Sequence, residues 1–147
     1  MSTSAASATV AFDAEAIAAI VAHAKQESPR ECCGVLVGRA SSILQAVAVR
    51  NVSEDQNRFV IDPAGHIAAR RAARDASLQI VGFYHSHPHS PPTPSARDRA
   101  EASYDGYYAI AGMDGGEVIV RLYTCAAGRF VDAAFVTVPR SGRRAGS

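Results

Sequence analysis

The spacing of apolar and polar positions divides the chain into alternating helix and strand signals. Ile17, Ile20, Val21 and Ala24 recur at helical spacing, Asp13 stands where a cap belongs, and Pro29 closes the run. This predicts a helix over 13–27. The run from Cys32 to Gly38 is apolar and β-branched, which predicts a strand with Glu31 at its entrance. A second strand is expected over 43–52, a polar turn over 51–56 and a third short strand over 58–61. Asp62-Pro63 is a helix start, with Asp as cap and Pro at the first helical position. Ala69, Ala72, Ala73 and Ala76 form a thin stripe suited to close packing on a sheet. Arg70, Arg71 and Arg74 then face outward as a solvated surface.

A second apolar run, 78–83, reads as a buried strand that continues to His87. Pro88, Pro91, Pro92 and Pro94 stop it and make a stiff loop. A short helix is expected over 95–104, ended by Asp105-Gly106. Three more strands are expected over 107–113, 117–125 and 129–138, with hairpin turns at Asp114-Gly115-Gly116 and Ala126-Ala127-Gly128. Residues 1–9 and 139–147 are expected to be flexible termini around one domain, 10–138. Mixed helices and strands with terminal hairpins imply an α/β sandwich around one mixed sheet.

Composition narrows the function. The chain has 147 residues, of which 48% are hydrophobic, enough for one domain with a sizeable core. A formal net charge of +1 gives no electrostatic case for nucleic acid or an anionic membrane as partner. No apolar run reaches membrane-spanning length, and the first residues do not resemble a signal peptide. Three cysteines, two of them adjacent, do not make a disulfide framework, so a cytoplasmic location is the simplest expectation.

The chemistry centres on Tyr84-His85-Ser86-His87-Pro88. Alternate strand residues share a face, so His85 and His87 project together, with Cβ atoms roughly 7 Å apart. That suits two imidazoles on one ion. The proline loop is expected to return Ser95 and Asp98 to the histidines. Two nitrogens and a carboxylate oxygen form a three-ligand zinc site with one position open, as catalytic zinc requires. Ser-x-x-acid at a helix start also resembles a capping box, so spacing alone leaves Ser95 and Asp98 open to either role, and the two are compatible. Glu31 could equally be an exposed charge before a strand; nothing in its spacing makes it a base.

Cys32 and Cys33 face opposite sides of a strand, so at most one can meet a cleft, and no helix start or base is present to activate a thiol. Cys125 is expected in the core and Tyr84 in packing on the face opposite the histidines. His23 is expected at the surface, His66 has no partner visible in the sequence, and His89 belongs to a loop.

Glu31, then His85-Ser86-His87-Pro88, with seven residues between His87 and Ser95, then Asp98, resembles the JAMM signature of the MPN-plus zinc metalloproteases. Glu31-Cys32-Cys33-Gly34 and Tyr84-His85-Ser86-His87-Pro88 are similar to the short prokaryotic branch. The resemblance implies a cytidine-deaminase-like αβα sandwich. It implies one zinc ion held by His85, His87 and Asp98. Glu31 is then the base that takes a proton from the attacking water, and Ser95 the donor to the oxyanion. The segments 51–58 and after Asp98 are short beside those of polyubiquitin-cutting members. This puts polyubiquitin specificity in doubt, and the resemblance to the short prokaryotic branch implies a small ubiquitin-like or sulfur-carrier protein with a Gly-Gly tail as substrate. A non-catalytic MPN scaffold, or a RadC-like protein with a similar His-x-His-Pro loop, are the competing expectations.

Overall fold

The computed structural model describes residues 9–140. Eight strands form one mixed sheet in the order β7-β6-β5-β4-β2-β3-β1-β8. They are β1 (Val10–Asp13), β2 (Cys33–Arg39), β3 (Ser42–Val49), β4 (Gln79–Ser86), β5 (Gly106–Asp114), β6 (Glu117–Ala126), β7 (Arg129–Asp132) and β8 (Phe135–Val138). The helices are α1 (Ala14–Glu27), α2 (Pro63–Asp75) and α3 (Ala96–Glu101).

The two long helices cover opposite faces. Ala16, Ile20 and Ala24 of α1 join Phe12, Leu36, Ile43, Tyr84, Ala109 and Leu122 in one core layer. Ala69 and Ala73 of α2 pack on Val35, Val37 and Val49 in the other. The result is an αβα sandwich, the α/β sandwich expected from the order of elements in the form that the family resemblance implies. Asp13 caps α1 by accepting the N–H groups of Glu15 at 2.8 Å and Ala16 at 3.0 Å. The Arg140 guanidinium reaches back to the same carboxylate at 3.0 Å. Burial would raise the Asp13 pKa, but the Arg140 bonds and the helix N–H groups leave it lowered. The remainder of the expected flexible termini, 1–8 and 141–147, lies outside the described residues.

Several expectations need correction. Val10–Asp13, to which the sequence pattern assigns no element beyond the Asp13 cap, forms a strand. The strand expected over 58–61 is a single bridge between Asn51 and Ile61. The helix after Ser95 ends at Glu101. The buried stripe of α2 is His66, Ala69 and Ala73, while Ala72 and Ala76 are exposed. His66 fits there because its ring meets Phe83 and Tyr104 edge-on. His23 is half-buried rather than at the surface, with Nδ1 2.7 Å from the Tyr84 hydroxyl. Burial leaves its imidazole less basic than usual.

The strand expected over 129–138 breaks at Ala133-Ala134. β7 pairs with β6, whereas β8 runs parallel to β1 at the opposite edge. Two residues span at most roughly 7–10 Å, so the two edges must approach one another and the sheet is strongly curled.

Candidate metal centre

The site forms where β4 ends and β2 begins. These strands are antiparallel, with Cys33 opposite His85. Continuing that register outward sets Glu31 opposite His87. Two bonds extend the pairing past the strand end: Ser86 N–H to the Cys32 carbonyl at 3.1 Å, and Cys32 N–H to Ser86 Oγ at 2.8 Å. Ser86 points away from the histidines, and its hydroxyl fixes the stem from which Glu31 projects.

The proline loop closes the other side. The His87 N–H donates to the Ala111 carbonyl at 2.7 Å, the Met113 N–H to the Ser90 carbonyl at 2.8 Å, and the Tyr123 hydroxyl to the Pro92 carbonyl at 2.7 Å. Gly112 of β5 lets this loop lie flat. A Cβ there would sit 2.4 Å from Pro92 N and 2.7 Å from Pro91 C, both backbone atoms. Gly112→Ala is therefore expected to push the loop away and weaken metal binding. The expected destabilisation is about 1–3 kcal/mol, the usual cost of overpacking. Thermal melts and zinc titration of the variant check both effects.

The loop delivers Ser95 and Asp98 at the start of α3. Asp98 N–H donates to Ser95 Oγ at 3.0 Å and Ser95 N–H to Asp98 Oδ2 at 2.9 Å, a complete capping box. The same Asp98 Oδ2 lies 3.2 Å from His85 Nε2 and 3.1 Å from His87 Nε2, and the two nitrogens are 3.2 Å apart. Capping and convergence on the histidines thus coexist in one carboxylate.

The side chains of His85, His87 and Asp98 are 2%, 7% and 8% exposed. Their donor atoms form a near-equilateral triangle. A tetrahedral ion with bonds of 2.0–2.1 Å sets its donors roughly 3.3 Å apart, so this triangle is of the right size. Three electron-rich atoms aimed at one point need a cation or shared protons among them. Burial would lower the His87 pKa, but the bonds to Asp98 and to the Pro91 carbonyl raise it. Burial would raise the Asp98 pKa, but the bonds from His85 and His87 hold it well below the carboxylate range. The donor set, two imidazole nitrogens and one carboxylate oxygen, suits a divalent ion with an open position.

Glu31 shares a cleft of about 540 Å³ with His87, Ser95 and Asp98. It is half-buried, and desolvation raises its pKa despite the opposing pull of His85 and His87. The geometry therefore brings together all five residues singled out in the sequence. Neither adjacent thiol offers a nucleophile: burial pushes Cys32 up to about 11 and Cys33 up to about 12. Cys125 is buried in the core and His89 is exposed on the loop. Sequence reasoning missed Asn51 and Phe59. Asn51 looked like an ordinary turn residue and Phe59 like part of a strand.

A curled αβα sandwich with a buried His-His-Asp triangle and a half-buried glutamate in one cleft defines a candidate metal centre of the hydrolytic kind. The chain belongs to the prokaryotic homologs of the JAB domain, whose family model matches residues 13–128. It is 39% identical over 117 residues to a desampylase of Haloferax volcanii, covering 74% of this chain and 84% of that protein. It is 34% identical over 95 residues to a probable TtuB-protein conjugate cleaving protease of Thermus thermophilus, covering 64% of each. Among solved structures, a JAB1/MPN domain protein from Archaeoglobus fulgidus superposes with a TM-score of 0.57 at 18% identity, over 88% of this chain and 98% of that one. Among the described residues, no helix is long and apolar enough to cross a membrane.

Proposed function

We propose that the protein is a zinc-dependent peptidase or isopeptidase that hydrolyses the amide bond after the C-terminal Gly-Gly of a small ubiquitin-like or sulfur-carrier protein. The observation that carries this reading is the position of Glu31. The β2–β4 register sets it beside two histidines more than fifty residues away, in the same cleft, yet outside the donor triangle. A metal hydrolase needs such a group: a carboxylate near the ion that is not spent in holding it. The names of the Haloferax and Thermus relatives support the substrate class.

His85, His87 and Asp98 would hold the ion. When bound, zinc supplies Lewis acidity that polarises the scissile carbonyl and acidifies water. Glu31 takes a proton from the attacking water and passes it to the departing amine. Its desolvated setting raises its basicity toward that task. Ser95 Oγ already accepts the Asp98 N–H, so its own proton is free to meet the oxyanion. An extended Gly-Gly tail fits the cleft because residues without Cβ let the backbone approach such a centre closely.

The test uses a small ubiquitin-like carrier ending in Gly-Gly and joined by an amide bond to an amino acid or a lysine side chain. Intact-mass measurement should show loss of the appended group and a carrier ending at its second glycine. An unchanged mass across peptide- and isopeptide-linked carriers, with zinc bound, would overturn the reading.

A further inference from the structure

The two histidines are held in different ways. His87 Nδ1 lies 3.0 Å from the Pro91 carbonyl oxygen. His85 Nδ1 is buried and meets no hydrogen-bond partner among the described residues. A ligating imidazole normally donates its second ring N–H to an outer partner that fixes the ring's orientation. Against the face of His85 lies Phe59, with ring centroids 4.5 Å apart and planes 20° apart.

Phe59 belongs to the segment 51–60, which one side chain ties into a hoop. Asn51 Oδ1 accepts the N–H groups of Ser53 at 3.0 Å and Val60 at 2.9 Å. Asn51 Nδ2 donates to the carbonyls of Arg58 at 3.0 Å and Glu31 at 2.9 Å. All four hydrogen-bonding positions of the amide are used. A single asparagine therefore fixes both the backbone that carries Phe59 and the backbone of Glu31.

Beyond Phe59 is a separate apolar cavity of about 230 Å³, lined by Phe83, Tyr104, Tyr108 and Phe130 as well as by His85. Phe59 lines both this cavity and the cleft, as do Asp98 and Glu101 of α3. Without Phe59, the His85 ring has room to tilt.

We infer that Phe59, carried over the site by Asn51, is a positioning residue for His85. The stacked ring fixes the plane of an imidazole whose Nδ1 meets no hydrogen-bond partner among the described residues. This rests on the reading of His85 as a metal ligand.

Zinc affinity, measured by competition with a chromophoric chelator, separates the two. Phe59→Leu removes the flat ring and is expected to weaken zinc binding roughly tenfold or more, the scale of an outer-shell loss. Its metal-free melting temperature should stay near that of the metal-free parent. Phe59→Tyr keeps the ring and should bind zinc as the parent does. Asn51→Ala releases the hoop and should weaken zinc in the same direction, with a larger loss in kcat than gain in KM. Parent-like zinc affinity in Phe59→Leu would overturn the inference. Should that variant fail to fold, parent-like affinity in Asn51→Ala would do the same. A parent protein that binds no zinc would instead sink the metal reading itself.

Discussion

Glu31→Gln is expected to abolish measurable hydrolysis while leaving zinc content at one ion per chain. General base catalysis is worth roughly 10²–10⁴-fold, so kcat should fall by at least that range. The substitution is isosteric and keeps the backbone bonds that place residue 31: its N–H to the Gln56 carbonyl at 3.0 Å and its carbonyl from Asn51 at 2.9 Å. What it removes is the carboxylate's charge and its proton affinity. With the metal removed by chelation, stability should hold or rise slightly near neutral pH. The folded protein raises the Glu31 pKa, chiefly by desolvation. Ionised Glu31 therefore costs stability at pH values above its unfolded pKa, and the neutral amide removes that cost. Kinetics and elemental analysis on the zinc-loaded protein, and a thermal melt on the chelated protein, check all three statements. Loss of zinc in the variant would place Glu31 among the ligands instead.

The contrast between Glu31 and the other site residues shows what the chain makes readable. His85 and His87 are legible because strand period alone puts them on one face. Ser95 and Asp98 are legible as a pair because helix capping is local. That they return to the histidines depends on Gly112 accepting the proline loop, a contact with no local signal. Glu31 is further still from local reading. Its arrival depends on Cys33 pairing with His85, a register set by the whole β2–β4 ladder, so only the family resemblance could supply it in advance.

One end of the sheet was hidden for a related reason. β1 and β8 each have four residues, too few for a periodic signal, and each is paired mainly with the other. The break at Ala133-Ala134 carries neither Gly nor Pro, so a strand that changes edges looks continuous. His66 shows the converse case. A polar residue took a buried helix position because aromatic neighbours from β4 and the segment after α3 surround it.

The double role of Asp98 yields the second large effect. Asp98→Asn is expected to lose zinc and hydrolysis together while keeping the helix start. An amide oxygen can still accept the Ser95 N–H, which donates at 2.9 Å in the parent, and the Ser95 hydroxyl still accepts the residue 98 N–H. An amide is a far weaker ligand than a carboxylate, so zinc affinity should fall beyond the roughly 10–100-fold cost of an outer-shell change. Asp98→Ala removes the ligand and the reciprocal half of the capping box, the bond from the Ser95 N–H, and should lie about 0.5–1.5 kcal/mol below Asp98→Asn in stability when both are metal-free. The metal-bound parent sets the upper reference. Zinc at a hundred times its Kd stabilises by about 2.7 kcal/mol, or roughly 5–10 °C of Tm for a domain of this size. Chelation should remove that increment from the parent and leave Asp98→Asn unmoved. Melts with and without chelator across the three proteins separate ligation from capping. Equal responses to chelator in the parent and in Asp98→Asn would show that the carboxylate serves the helix and not the ion.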